Sequence, residues 1–449
     1  MTDFDEWFDT MPKIEGVRPV DDLTVDRSRD RGPPSFRRRG PIEKRHMRDH
    51  QQQIISLVRE DGVLRWRPGA VSARRLTRRA GGRAALPSGK VVKQFAFEAL
   101  ETSNVYTALT ALDRQLTPQA ASAANTLTGL RQLVNGKLVP LAATPNLDGK
   151  RVLLLVHGTF SNSESLVDNG LAATPSGKKL LSQAESRYDY VLAYDHPTLS
   201  VSPAMNAFDL ASLFRPAPKE IDIICHSRGG LVARWLCEAF TDPTTAYRVV
   251  LVGAPLAGTS LASPPKLRNT LDLLTNIADI LRTGADFASA NPFFLAASGL
   301  LRVVSTITSL TAKTPILDGA LALIPGLDAM SHTGNNEEIR RLRMNTGTSD
   351  FTKGRAQYFA IQSDFEPEAI GWNFLRLFSR PMLRAGDVGA DLIFDGPNDL
   401  VVDTFSMSEV ADHHNVRVLH DFGKNPDVHH CNYFVQGPTV KAISKALEL

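Results

Sequence analysis

The sequence predicts an α/β fold built on a mostly parallel, doubly wound sheet, and three observations carry that prediction. Short apolar runs of strand length alternate with stretches of helical periodicity. One run, Ile221-Asp222-Ile223-Ile224-Cys225-His226, passes through the small turn Ser227-Arg228-Gly229-Gly230 into Leu231-Val232-Ala233-Arg234-Trp235-Leu236, whose apolar positions fall at helical spacing. Another, Arg151-Val152-Leu153-Leu154-Leu155-Val156, ends in His157-Gly158-Thr159-Phe160. Strands that alternate with helices pair in parallel, because a parallel crossover needs a connection of helix length.

The elements follow in chain order. Residues 1–50 read as a disordered basic tail and 51–147 as a small accessory region. Within the latter, 54–58 and 63–66 flank an Asp61-Gly62 turn as a β-hairpin, 91–100 reads as a strand, and weak helical periodicity follows. Residues 148–449 carry the main domain, with strands at 151–156, 188–194, 221–226, 249–252, 356–361 and 416–420, and helices at 205–214 and after Gly229. An insertion at 261–352 interrupts the sheet pattern. Leu267, Leu271, Leu274, Ile277 and Leu281 share one helical face there, the pattern of a cap or lid. The apolar stretch 292–312 contains Arg302 and several Ser and Thr residues, so it reads as a lid helix and not as a membrane span.

Arginines crowd residues 26–90, an excess of about ten positive charges concealed within the overall charge of +3. Such a segment suits either a solvated tail or an anionic membrane surface, with nucleic acid the less favoured partner. The acidic start Met1-Thr2-Asp3-Phe4-Asp5-Glu6 lacks the basic and apolar regions of a secretory signal, and the 3 cysteines make no disulfide framework, so a cytoplasmic location is expected. No phosphate-cradling or dinucleotide glycine motif is present, and no cofactor is expected.

The chemistry centres on the turn after 221–226, which is a nucleophile elbow: it lifts the Ser227 oxygen above the sheet and aims the Arg228 amide at a developing oxyanion. Cys225 stands where the first glycine of G-x-S-x-G is usual. The loop after 151–156 offers a second donor, the amide of Thr159 or, as the alternative, Phe160, while His157 shapes that loop. Asp399, in Gly396-Pro397-Asn398-Asp399, is the candidate acid, with Asp395, Asp403 and Asp364 as competitors. The base is sought in Val428-His429-His430-Cys431, and no second ligand cluster at zinc-like spacing argues for a metal. The chain order is therefore Ser, Asp, His.

These pieces resemble the lipase/esterase branch of the α/β-hydrolase superfamily, over roughly residue 148 to the C-terminus. Gly253-Ala254-Pro255-Leu256-Ala257-Gly258-Thr259 and Gly326-Leu327-Asp328-Ala329-Met330-Ser331 are similar to segments of bacterial lipases. The resemblance implies a histidine three residues before a Tyr-Phe pair, which selects His430 over His429. It also implies an α/β-hydrolase fold with a helical cap, a Ser227–His430–Asp399 triad, and a small-molecule or lipid-like ester substrate cleaved through an acyl-enzyme. A phospholipase acting at anionic membranes, and a non-catalytic scaffold using the arginine-rich segment, are the two alternatives.

Overall fold

The computed structural model describes residues 17–19, 53–60, 63–68, 90–97, 105–117, 128–240, 242, 244–262, 324–332, 336–346, 356–366, 396–411 and 414–449. Two compact units divide the chain, Met1–Glu101 and Thr102–Leu449. In the first, β1 (Val17–Pro19), β2 (Gln53–Glu60), β3 (Val63–Pro68) and β4 (Lys90–Phe97) form an antiparallel sheet in the order β1-β4-β2-β3. The expected hairpin is present, with Glu60 facing Val63 and Leu57 facing Trp66. Most of the basic tail and the arginine-rich segment, the lid readings at 267–281 and 292–312, and Asp395 lie outside the described residues.

The second unit opens with α1 (Val105–Leu116), whose buried Leu109, Leu112 and Leu116 make an apolar stripe that also contains the buried Asp113. Its sheet comprises β5 (Gly129–Val134), β6 (Lys137–Pro140), β7 (Arg151–Val156), β8 (Tyr190–Asp195), β9 (Glu220–His226), β10 (Ala246–Val252), β11 (Ala356–Phe365) and β14 (Arg417–Asn425). A small separate pair, β12 (Glu409–Ala411) and β13 (His414–Asn415), precedes β14. Across the sheet the order is β14-β11-β10-β9-β7-β8-β5-β6. Pairing is parallel from β8 through β7, β9, β10 and β11 to β14, and antiparallel at the β8, β5, β6 edge. This is the expected doubly wound, mostly parallel sheet, laid out as an α/β-hydrolase fold.

The sheet reaches further back along the chain than residue 148, where the main domain is expected to start. Asn135 and Gly136, both at positive φ (52° and 73°), close the β5–β6 hairpin, and β5 pairs with β8. An Asn-Gly turn of this hand matches the twist of the two strands it joins, so residues 129–140 belong to the large sheet.

The central strands are apolar on both faces because helices cover both. Leu153, Leu155, Ile224, Val250 and Val252 pack with Leu180, Leu181 and Ala184 of α3 (Pro175–Arg187) and with Val440, Ile443 and Leu447 of α8 (Gly437–Leu447). Against the sheet also lies α5 (Gly229–Glu238), buried from Gly229 to Cys237 and packed beside α4 (Pro203–Leu213). Gly229 is required for close approach: a Cβ there would stand 2.5 Å from the Val156 carbonyl oxygen and 2.7 Å from that of His157. Both obstacles are backbone at the end of β7, which cannot move without shifting the sheet. Gly229→Ala is expected to lower stability by about 2 kcal/mol or more, read as a fall in the denaturant midpoint at unchanged m-value.

Candidate active site

Three loops converge at the C-terminal edge of the sheet, the place where open parallel sheets assemble their sites. Ser227 follows β9 in the left-handed region, φ 52°, and its amide donates to the Val252 carbonyl at 2.9 Å, tying the turn to the end of β10. A non-glycine residue at positive φ costs of order 1–3 kcal/mol and persists only where the surroundings over-determine it. Here the constraint is packing against the neighbouring loop, since a Cβ on Gly158 would meet the Ser227 Cβ at 2.8 Å. Cys225, in place of the usual first glycine, fits because its thiol turns into the core and donates to the Val250 carbonyl at 3.4 Å. Burial raises its pKa, so it stays a neutral thiol.

Asp399 is fully buried and all its acceptor capacity is directed. Oδ1 accepts the amides of Val401 (3.1 Å) and Val402 (2.8 Å), while Oδ2 accepts His430 Nδ1 (2.8 Å) and the Tyr433 hydroxyl (3.0 Å). The His430 amide also donates to the Asp399 carbonyl at 2.9 Å, so backbone and side chain lock the same pair. Leu400, at φ 85°, completes the turn that folds this loop back on its own carboxylate. Because Nδ1–H is given to the carboxylate, Nε2 is the nitrogen left to take up a proton. Gly253 lies alongside: a Cβ there would stand 3.2 Å from Asp399 Oδ2 and 3.3 Å from His430 Nδ1. The structure thus gathers Ser227, His430 and Asp399 around the Val252-Gly253 end of β10.

The competing residues go elsewhere. Asp364 accepts the Asn398 amide at 3.2 Å, supporting the loop that carries Asp399. Asp403 accepts the amide and hydroxyl of Ser260 at 2.9 and 3.3 Å. His429 packs edge-on against Phe365, and its Nδ1 accepts the Cys431 amide at 3.3 Å. Of the two oxyanion alternatives, the Phe160 amide is already committed to Thr198 Oγ1 at 3.3 Å. The amides of Thr159 and Arg228 have no protein acceptor among the described residues.

His226, which the sequence left without a role, donates from Nε2 to the His430 carbonyl at 2.8 Å and packs its ring 4.7 Å from that of His430. Burial, with the neighbouring His430, drops its pKa to about 3, so it remains neutral. His157 donates from Nδ1 to the Gly158 carbonyl at 2.9 Å and accepts the His196 amide at 3.2 Å, which fixes it as a neutral loop-shaping residue. His196 stacks between His157 and Tyr194, and burial lowers the pKa of both histidines. Tyr433 was visible in the sequence only as half of a spacing marker, and its bond to Asp399 required the fold. No group of three or more His, Cys, Asp or Glu residues able to hold a metal ion is found among the described residues.

Comparison with known families decides the membership. The family described as "Domain of unknown function (DUF7379)" matches residues 104–448. The chain belongs to the DUF7379 family. The matched span opens at α1 and takes in both edge strands, so the DUF7379 domain coincides with the second compact unit. Curated proteins give no match. Similar solved structures include the mature Bacillus licheniformis lipase BlEst2, at 14% identity over 68% of this chain and 94% of that one, with a TM-score of 0.37. Lipase 1 from Pelosinus fermentans shares 14% identity over 68% of this chain and 98% of its own, TM-score 0.40. A thermophilic esterase from Thermogutta terrifontis shares 14% over 71% and 97%, TM-score 0.35. Among the described residues no helix is long and apolar enough to cross a membrane.

Tyr433→Phe removes one donor from a buried carboxylate and is expected to cost about 1–2 kcal/mol in chemical denaturation. His157, His196 and His226 hold pKa values below that of an unfolded chain, so the unfolded state binds more protons below pH 6.5. Stability present at pH 7 is therefore lost as pH falls towards 5.5, with a slope approaching ~1.4 kcal/mol per pH unit for each histidine that stays neutral. Urea midpoints measured across that window check the sign.

Proposed function

We propose that this chain is a serine hydrolase that cleaves carboxylic esters through an acyl-enzyme. The observation that carries the reading is the strained Ser227, tied by its amide to Val252 next to Gly253, against which the Asp399–His430 pair lies, with amides at Thr159 and Arg228 that have no acceptor among the described residues. Ser227 Oγ attacks the acyl carbon while His430 Nε2 takes its proton, and the Asp399 carboxylate stabilises the imidazolium that results. The carbonyl oxygen, now an alkoxide, is held by the two amides, whose dipoles cost no reorganisation when the charge develops. Collapse breaks the ester C–O bond, and the leaving alkoxide departs with the proton from His430. Water then attacks the acyl carbon with His430 again as base, which frees the carboxylic acid and restores Ser227. The residues supply every proton transfer.

The substrate is proposed as a small-molecule or lipid-like ester. The Thr159 hydroxyl lies 3.4 Å from the Met330 sulfur, so an apolar, adaptable side chain borders the oxyanion loop. Turnover of para-nitrophenyl esters of increasing acyl length tests the reading. Ser227→Ala is expected to lower kcat by about 10⁴-fold or more, and Asp399→Asn by a comparable factor through the wrong His430 tautomer. Retention of most of the wild-type kcat by Ser227→Ala would contradict it.

A further inference from the structure

The buried Asp113 carboxylate is unexplained by the triad, yet it is among the most heavily hydrogen-bonded groups in the described residues. It projects from α1 into the loop that follows β8. Oδ1 accepts the amides of Thr198 (2.8 Å) and Leu199 (3.1 Å), and Oδ2 accepts the amide (2.8 Å) and hydroxyl (2.6 Å) of Ser200. Thr198 Oγ1 also donates to Oδ1, at 3.4 Å. That last bond sets the direction of the hydroxyl. With its single proton turned to Asp113, Thr198 Oγ1 presents a lone pair to the Phe160 amide, which donates to it at 3.3 Å.

Phe160 is the residue directly after Thr159 and sits in the left-handed region, φ 56°. A residue in that strained conformation must be held there, and its peptide orientation fixes how the Thr159 end of the loop turns. The same loop is joined to α1 at a second point, where Asn162 Nδ2 donates to the Leu116 carbonyl at 2.8 Å. The other end of the 198–201 segment is gripped by the Arg228 guanidinium, which donates to the Val201 carbonyl at 2.6 Å. Arg228 is wholly buried, and its pKa is drawn down to about 10 by burial against the opposing pull of Asp113 and Glu338. Its own amide is the other oxyanion donor in the reading above. One buried assembly therefore touches both donor-bearing segments.

We propose that Thr198, oriented by Asp113, is a positioning residue that fixes the Thr159–Phe160 turn and so sets the second oxyanion donor. It touches neither the substrate nor the reacting atoms. The inference rests on the serine-hydrolase reading, and its test is chosen to fail separately from it. A fluorophosphonate places a phosphoryl oxygen where the oxyanion forms, so the first-order constant of Ser227 modification, kinact, reports the donors, while KI reports probe binding.

Thr198→Val keeps the branched shape and removes only the hydroxyl. The expected result is a fall in kinact of about 10- to 100-fold, the scale of a misplaced catalytic group, with KI within about twofold. Thr198→Ser, which restores the hydroxyl, is expected to recover most of the rate. Melting temperatures are taken on all variants, and if the valine variant does not fold, Thr198→Ala against Thr198→Ser gives the same comparison. Wild-type kinact in the hydroxyl-free variant, or a serine variant as slow as that variant, overturns the proposal. Failure of the wild-type protein to label at Ser227 would instead overturn the serine-hydrolase reading.

Discussion

The arrangement depends on one buried charge, the carboxylate of Asp399. An ionised group removed from water is tolerated only when its lone pairs are filled. Here four donors fill them: two amides from its own turn, the His430 ring and the Tyr433 hydroxyl. Each donor constrains a different segment. The amides fold 399–402 back on itself, His430 is fixed in tautomer and direction, and Tyr433 ties the segment leading into α8 to the same point. Because α8 packs on the central strands, the loop of Asp399 is joined to the hydrophobic core. Loss of one donor would leave a lone pair of the carboxylate unfilled in a medium that screens charge poorly.

A second buried carboxylate, Asp113, holds the 198–200 segment much as Asp399 holds its own loop. One organises the segments carrying Asp399 and His430, the other the loop that carries Thr159 and Phe160. Ser227 itself is held in the left-handed region with its amide bonded to the Val252 carbonyl. The glycines at 158, 229 and 253 share a common purpose: each leaves room where a Cβ would collide with backbone or with a functional side chain. Small residues at the sheet edge thus allow three loops to meet within hydrogen-bonding reach, and the charged residues then fix them there.

Much of this was legible in the sequence because local pattern and tertiary role agree. The runs 151–156 and 221–226 are apolar on both faces, and that alone marks central parallel strands. The turn after Cys225 announced itself by small residues between strand and helix periods. Other parts were hidden for physical reasons. The β5–β6 hairpin is short and edge-exposed, so its strands lack strong alternation, although the Asn135-Gly136 pair was a usable turn signal. Asp113 sits within an amphipathic helix where a lone acidic residue reads as a break in the stripe. Its five donors come from residues more than eighty positions away, and no local pattern encodes them. Asp399 and Asp364 could not be separated by spacing, since Asp364 at the end of β11 and Asp399 on the loop beyond it come together in the fold. Their hydrogen bonds distinguish them: one meets His430, the other the Asn398 amide.

The central claim is that Ser227 is an activated nucleophile, and the most direct measurement is the mass of the intact protein after exposure to a fluorophosphonate, followed by mapping of the modified peptide. The account predicts a single adduct on Ser227, absent from Ser227→Ala and strongly slowed in a His430→Ala variant. Folded protein that gains no adduct, or carries it on another residue, would contradict it.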